Sequence, residues 1–258
     1  MLAIGLSVAG SLTMAQTQPD PVPDLDPQAV EILTGATDFL AGQQAFAVNW
    51  FVSYDEVVDG REIVTYTRSG HNLLSRKQGF YSYAENGLET REFFFDGLNL
   101  QILDVEERAY VAAPFPDGFE TLIDRARTEY GVVLPIWTLM SLRSGEELLD
   151  QADAAAYLGL TRLAGRQVHH LALSNYDRDW QIWIADDADK PEIVMLVGTD
   201  PYTQGWPQYR AFFTGWDFSP EIAEGAFTFV PDETTERMSW PKVAGGGDPA
   251  DTPSSGNE

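Results

Sequence analysis

The residues that could do chemistry in this sequence are few, and the three histidines are the first to consider. His169 and His170 are adjacent in a predicted strand, so their side chains point to opposite faces of a sheet and cannot chelate one ion together. His71 lies in a different predicted hairpin. The sequence has no cysteine, which excludes a thiol nucleophile, a disulfide framework and a cysteine-ligated metal. We therefore predict partly buried strand histidines and no metal site.

The common signatures of catalysis are also absent. The sequence contains no Gly-x-Ser-x-Gly elbow, no His-Glu-x-x-His, no phosphate-binding loop and no Gly-x-Gly-x-x-Gly. Asp186, Asp187 and Asp189 crowd one turn, but their spacing matches no EF-hand loop, so we expect a solvated acidic turn rather than a calcium site. No catalytic residue and no cofactor is predicted, and an enzyme is the least favoured function.

The aromatic residues are more informative than the titratable ones. Trp180 and Trp183 point to opposite faces of one predicted strand, and Phe212 and Phe213 do the same in another. A sheet with large apolar residues on both faces needs cover on both faces, or lines an apolar cavity on one of them. On these residues alone both alternatives stay open.

If a cavity is present, large aromatic residues of the central strands are expected to face it. Trp50 is the first candidate, because Phe46, Val48, Val52 and Tyr54 alternate on its side of the strand. The full predicted ligand-binding set is Trp50, Phe94, Trp183 and Phe212.

The elements that must position these residues follow from local signals. Asp26 and Pro27 have the pattern of an N-cap and a first helical residue. Hairpin turns are predicted at Asp59-Gly60 and Asp96-Gly97. Strands are expected at residues 63–67, 71–76, 78–84, 159–164, 167–173, 179–185, 192–198 and 207–217, with a last short one at 227–230.

Helical segments interrupt the strands after the second hairpin. Asp117 and Glu120 have capping-box spacing before a helix that Gly131 ends. A short apolar helix is expected at 135–142, and a capping box at Ser144 begins another over 145–155. The predicted fold class is α+β: a large curved antiparallel β-sheet with helices between two meanders, covering its concave face.

The two ends of the chain differ from its middle. The apolar run 2–14 is too short to span a bilayer and precedes small residues, so residues 1–15 are predicted to be a secretory signal peptide cleaved near Ala15. Residues 16–26 are expected to be a linker, 27–240 a single folded domain and 241–258 a disordered tail. The predicted location is the periplasm.

Charge narrows the range of partners. The formal net charge is −24, from 16 Lys and Arg against 40 Asp and Glu. This charge makes the chain an acidic protein that a nucleic acid or an anionic lipid surface would repel. We predict no nucleic-acid partner and no stable membrane insertion.

Three segments resemble an uncharacterised bacterial periplasmic family, the domain of unknown function 2092. They are Phe-Phe-Phe-Asp-Gly at 93–97 with the strand after it, Asp-Trp-Gln-Ile-Trp-Ile at 179–184, and residues 207–216 followed by Ala-Phe-Thr-Phe-Val-Pro at 226–231. That family is similar to the LolA and LolB lipoprotein carriers. The resemblance implies a strongly curved half-barrel closed by helices over an apolar cavity that takes acyl chains, and it brings no catalytic residues.

The resemblance also favours one function over another. It implies a periplasmic, LolA-like protein that binds an apolar or acylated ligand, as a lipid or lipoprotein carrier does. Related folds serve as sensor domains of the cell envelope. The alternative is therefore an interaction domain that recognises another periplasmic or outer-membrane protein along a sheet edge.

Overall fold

The computed structural model describes residues 23–132 and 144–242, and one 13-stranded sheet runs through them. In chain order its strands are β1 (Asp24–Leu25), β2 (Ala45–Val58), β3 (Glu62–Ser75), β4 (Gly79–Glu85), β5 (Thr90–Phe95), β6 (Asn99–Asp104), β7 (Ala109–Pro114), β8 (Ala154–Leu163), β9 (Arg166–Ser174), β10 (Asp179–Ala185), β11 (Ile193–Thr199), β12 (Gln208–Asp217) and β13 (Glu236–Arg237). The described helices are α1 (Pro27–Gly42), α2 (Phe119–Tyr130) and α3 (Ser144–Asp150).

The sheet consists of two antiparallel meanders that meet at the pair formed by β12 and β2. Its spatial order is β1-β8-β9-β10-β11-β12-β2-β3-β4-β5-β6-β7-β13. The two end strands are only two residues long and pair in parallel, β1 with β8 and β13 with β7. The result is a large, curved, unclosed mixed sheet with few helices, rather than a purely antiparallel one.

The helix signals are confirmed in part. Asp26 caps α1 as predicted, because its Oδ1 accepts a hydrogen bond of 2.9 Å from the Gln28 amide. The capping box predicted at Asp117 is wrong: Gly118 is the N-cap of α2, and the Asp117 carboxylate instead accepts a hydrogen bond of 2.7 Å from Arg125. Gly131 ends α2 in the left-handed conformation, at φ 69°.

Several strand and helix bounds differ from the sequence prediction. Residues 63–67 and 71–76 belong to one long strand, β3, because it pairs with β2 along its whole length. The helix predicted over 145–155 ends at Asp150, since β8 begins at Ala154. No strand forms at 227–230. The apolar helix at 135–142, the signal peptide and all but the first two residues of the tail lie outside the described residues.

The cross-strand register arranges the side chains of β2–β7 in rows. We call the face that carries Trp50 the core face. Its first row is buried throughout and consists of Phe46, Leu74, Phe80, Phe95, Leu100 and Ala113. Helix α2 covers this row, with the Phe119 ring edge-on to Phe80 at 5.7 Å and Leu122 and Ala126 in the same cluster.

Helix α1 covers the core face on the other side of β2. Ala29, Leu33, Ala36 and Leu40 recur at helical spacing and are at most 2% exposed. They belong to the cluster that contains these buried strand residues: Leu171, Leu173, Ile182, Ile184, Leu196, Ala211 and Phe213. Both helices therefore lie on the same face of the sheet, and the chain buries its main core there.

Candidate functional site

The second and third rows of the core face are less completely covered than the first. In the second row, Phe93, Ile102 and Val111 follow one another across β5, β6 and β7, and all three are only half-buried. In the third row, Ala84 pairs with Arg91, and the row continues across the same strands to Asp104 and Ala109. These side chains form an apolar floor next to a charged border.

Two adjoining cavities lie over this floor. One has a volume of about 330 Å³ and is lined by Arg68, Ala84, Glu85, Asn86, Glu89, Arg91, Phe93, Ile102, Gly131 and Val132. The other has a volume of about 510 Å³ and is lined by Arg91, Ile102, Asp104, Glu107, Ala109, Tyr110, Val111, Val132, Glu236, Met238 and Trp240. Arg91, Ile102 and Val132 belong to both. We call the two together the cleft, the first its polar end and the second its apolar end.

In the described part of the chain, α2 ends at the border of the cleft, and none of its residues lines either cavity. Gly131 ends the helix, and the Val132 amide bonds back to the Ala126 carbonyl at 3.0 Å, which turns the chain. Val132 then lies at the cleft, beside Phe93 and Ile102 in one lining and Val111 in the other. Side chains alternate between the two faces of a strand, so residues two apart on β5, β6 and β7 all lie on the core face.

The C-terminal part of the chain forms a wall of the apolar end. Strand β13 pairs with β7, and the Met238 amide donates to the Tyr110 carbonyl at 2.8 Å. The Trp240 ring lies 4.6 Å from the Tyr130 ring at the end of α2. Lys242 bonds to Glu129, and the hydrogen bonds from Arg125 and Lys242 lower the pKa of Glu129 to about 2. An ion pair therefore fastens this wall to α2.

The charged groups at the cleft differ in the partners that they contact. The Arg91 guanidinium lies between two carboxylates, with its Nη2 3.4 Å from Glu89 and its Nε 4.0 Å from Asp104. Glu85 accepts hydrogen bonds from Tyr83 and Ser69, which keep its pKa below the usual value. Arg68 lies with its guanidinium carbon 5.1 Å from the centre of the Tyr54 ring.

Trp50 lies on the core face but packs in the interior instead of lining the cleft. Its indole lies over Gly70 of β3, where an added Cβ would come within 2.3 Å of the ring. Its Nε1 donates to the Asn72 Oδ1 at 2.9 Å, and the Ser82 hydroxyl donates to the same oxygen at 2.8 Å. Trp50 is 8% exposed. This buried network has the geometry of a structural core.

The other three predicted ligand-binding residues lie on the opposite face of the sheet. The Phe94 ring is 5.7 Å from Phe229, whose backbone exchanges two hydrogen bonds with the Gln101 side chain. The register places Trp183 and Phe212 in one row, separated by a single strand. The Trp183 ring stacks on His170 at 4.2 Å. The four predicted residues therefore do not line one cavity, because strand register puts Trp50 and the other three on different faces.

Sequence reasoning missed the residues that do line the cleft. Phe93, Ile102 and Val111 each stand two positions from a fully or nearly buried residue of the first row. That alternation was visible in the sequence, but it does not reveal which row a helix leaves uncovered. Met238 and Trp240 lie in a segment whose sequence has no strand pattern, and they reach the cleft because β13 pairs with β7.

The histidines and the acidic turn have structural partners. His169 contacts the Tyr157 hydroxyl at 3.0 Å and the Asp186 carboxylate at 3.2 Å, on the face opposite to His170. Asp187 accepts hydrogen bonds from the amides of Asp189 and Lys190, as a residue that caps its own turn does. Within residues 23–132 and 144–242, no three His, Asp or Glu side chains are grouped so as to hold a metal ion.

The cleft can bury the apolar surface of a small molecule and can contact a polar group of that molecule at its polar end. A volume of several hundred cubic ångströms is in the range of small-molecule sites, which are typically apolar with a few polar groups. Each Å² of apolar ligand surface removed from water there contributes about 25 cal/mol to binding.

The helices of the described part of the chain do not include one with the length and apolar character of a membrane span.

A family description and several solved structures match the chain. The family model for "Predicted periplasmic protein (DUF2092)" matches residues 29–239. No curated protein matches the sequence at a significant level.

The structural similarities are broad but loose. An uncharacterised conserved protein from Thermus thermophilus is 12% identical, with a TM-score of 0.48, over 82% of this chain and 99% of that one. LprF from Mycobacterium bovis is 12% identical, with a TM-score of 0.46, over 76% and 96%. A LolA superfamily protein from Nitrosomonas europaea is 11% identical, with a TM-score of 0.33, over 78% and 97%. At this level these proteins say nothing of what the chain binds.

Proposed function

Because the chain belongs to the DUF2092 family of predicted periplasmic proteins, we propose that it acts in the periplasm and binds an apolar or acylated ligand in the cleft. In this proposal the protein carries or presents its ligand and catalyses no reaction on it. Residues 1–15 serve as an export signal that is removed near Ala15, residues 16–26 link the mature N-terminus to the fold, and residues 27–240 form a single domain. The fold extends slightly beyond these bounds, because Asp24 and Leu25 form β1 and Lys242 bonds to Glu129.

The observation that carries this proposal is the part of the core face that no described helix covers. The two cavities adjoin over Ile102 and Val132, and seven of the eleven residues that line the larger one are apolar or aromatic. Core faces of sheets are normally filled to crystal-like density, so an uncovered apolar floor beside a filled first row is unusual. In this proposal the core face is the concave one, α1 and α2 cover it, and the ligand occupies the space that α2 leaves.

A cleft-filling substitution tests the proposal. Ile102 lines both cavities, so Ile102→Trp should fill the space without removing a buried contact. We expect the parent protein to bind a fluorescent C16 fatty acid and Ile102→Trp to bind it at least about tenfold more weakly, as judged by fluorescence titration.

The matched control is Ile63→Trp. Ile63 is 45% exposed in β3 and lies far from the cleft lining, so this variant adds the same indole at the surface. It should bind the probe as the parent does. Failure of the parent to bind, or equal binding by all three proteins, would contradict the proposal. Native mass spectrometry of protein purified from its own host should also reveal a bound small molecule.

One observation favours a second candidate function, recognition of an envelope protein along a sheet edge. Among the described residues, β1 pairs with the outer edge of β8 over Ala154 and Ala155. Beyond them, Leu158 is 56% exposed and Leu160 is 53% exposed. A partner strand could add to this edge through backbone hydrogen bonds.

Site-specific crosslinking separates this candidate from the first. A photo-crosslinking residue at Leu160 should capture a single envelope protein in the host, whereas one at Leu88, which is 87% exposed in the turn between β4 and β5, should not. Equal or absent adducts at the two positions would rule the edge out. A stable complex with an empty cleft would favour the edge over the ligand.

A further inference from the structure

We infer that the ligand of the cleft is an acyl amphiphile with an anionic head group, held at Arg68 at the polar end while its chain lies along the apolar end. This inference rests on the proposed function and adds the chemical class of the ligand. It is carried by the pairing of charges around the polar end, by the difference in lining between the two ends, and by the balance of charges at each end.

The first observation is that Arg68 has no carboxylate partner among the described residues. The other charged groups of the same lining are engaged: Arg91 lies between Glu89 and Asp104, and Glu85 accepts hydrogen bonds from Tyr83 and Ser69. The Arg68 guanidinium contacts a ring face, that of Tyr54 at 5.1 Å. Its donors thus remain available to a bound anion, which guanidinium binds through directed hydrogen bonds.

The second observation is that the cleft is itself amphipathic. Five of the ten residues that line the polar end are polar or charged, and they come from the middle of β3, the end of β4, the start of β5 and the turn between β4 and β5. At the apolar end seven of eleven lining residues are apolar or aromatic, among them Val111, Val132, Met238 and Trp240. An acyl chain with a polar head group is divided in the same way. Only one orientation therefore places the head group at the polar end and the chain at the apolar end.

The third observation concerns the sign of the head group. At the polar end the carboxylates of Glu85 and Glu89 are balanced by Arg68 and Arg91. At the apolar end Asp104, Glu107 and Glu236 face Arg91 alone, so an anion is repelled less at the polar end. Arg68 is exposed at the border of the polar end, so its guanidinium is accessible to the head group of a ligand that enters the cleft. A cationic head group would be repelled by Arg68 at the polar end, and if it turned to the carboxylates of the apolar end its chain would lie against the charged lining of the polar end.

The test compares head groups on one chain length. Palmitate, palmitoyl lysophosphatidic acid, monopalmitoylglycerol and hexadecyltrimethylammonium compete with the fluorescent fatty acid for the full chain and for Arg68→Gln. We expect the two anions to bind more tightly than the neutral and cationic compounds. Arg68→Gln should weaken the anions about five- to tenfold and leave monopalmitoylglycerol within about twofold. The ratio of the affinities for palmitate and palmitoyl lysophosphatidic acid shows whether the site prefers a carboxylate or a phosphate head group.

Two control variants keep the result specific. Arg68→Lys retains the charge and should restore most of the preference for anions, while Arg61→Gln removes an exposed charge at the turn between β2 and β3 and should change nothing. Equal binding of all head groups, or an unchanged preference in Arg68→Gln, would overturn the inference and leave the proposed function standing. If no compound binds the parent, both fail.

Discussion

Among the described residues, the core face of the sheet carries fully buried side chains under α1 and two adjoining cavities beside α2. Under α1, Leu171, Ile182 and Ile184 are fully buried, and a cavity of only about 20 Å³ lies between α3 and Trp180. Beside α2, the second row is half-buried and the adjoining cavities measure about 330 and 510 Å³. Both halves consist of alternating apolar strands.

The difference between the halves is in their helices. Helix α1 has 16 residues and lies against β8, β10 and α3, whereas α2 has 12 residues and ends at Gly131 over the first row. The strand pattern specifies only that a face is apolar. Where the covering helix stops determines whether that face becomes a core or a cleft, which is why truncations in the two halves should have different consequences.

The largest expected effect is at Trp50, on the strand between the two halves. Trp50→Ala removes a buried indole and its hydrogen bond to Asn72, so we expect a loss of about 3–5 kcal/mol in the free energy of unfolding by urea. Trp183→Ala, on the opposite face and half-buried against His170, should cost only about 1–2 kcal/mol. Similar losses in the two variants would contradict the assignment of Trp50 to the filled core.

A pair of identical substitutions compares the two halves directly. Ile182→Ala should cost about 2–5 kcal/mol, because Ile182 is fully buried under α1. Ile102→Ala should cost about 1 kcal/mol, since Ile102 borders space that is already open. In probe titrations the order reverses: Ile102→Ala should alter fatty-acid affinity and Ile182→Ala should not. Equal costs of unfolding would mean that the cleft is packed like the rest of the core.

The smallest effect is expected at the ion pair that fastens the wall of the cleft. Arg125 and Lys242 lower the pKa of Glu129 from 4.5 to about 2, so the stability that this carboxylate contributes is present above its ordinary pKa. That contribution should be lost as the pH falls from about 4.5 towards 2. The urea midpoint of the parent should exceed that of Glu129→Gln at pH 6, and the difference should shrink at pH 3.

The control for the pH experiment is a variant in the other half of the molecule, on α1. Asp26→Asn keeps a capping side chain on α1, far from the cleft wall, and leaves Glu129 unchanged. Its probe affinity should follow that of the parent at every pH, whereas Glu129→Gln should weaken probe binding already at pH 6. A midpoint difference between parent and Glu129→Gln that grows on acidification would have the wrong sign for this ion pair.

Local patterns in the sequence were sufficient for the features that depend on neighbours in the chain. A helix beginning at Pro27, the hairpins at residues 59–60 and 96–97, and the opposite orientations of Phe212 and Phe213 were all predicted and are present. Side-chain alternation and the cap at Asp26 are set within a few residues. The capping box expected at Asp117 does not form, because that carboxylate accepts a hydrogen bond from Arg125 instead. The family was recognisable for the same reason, from short segments in order.

The cleft depended on relations between distant segments, which only the tertiary structure decided. Phe93, Phe94 and Phe95 are identical in type, yet register with β4 and β6 gives them a cleft position, a place on the opposite face and a fully buried core position. Nothing in a single strand specifies its register or the row at which a helix elsewhere ends. Trp50 and Phe94 were grouped in one predicted site because both are large and apolar, and pairing along the sheet put them on different faces.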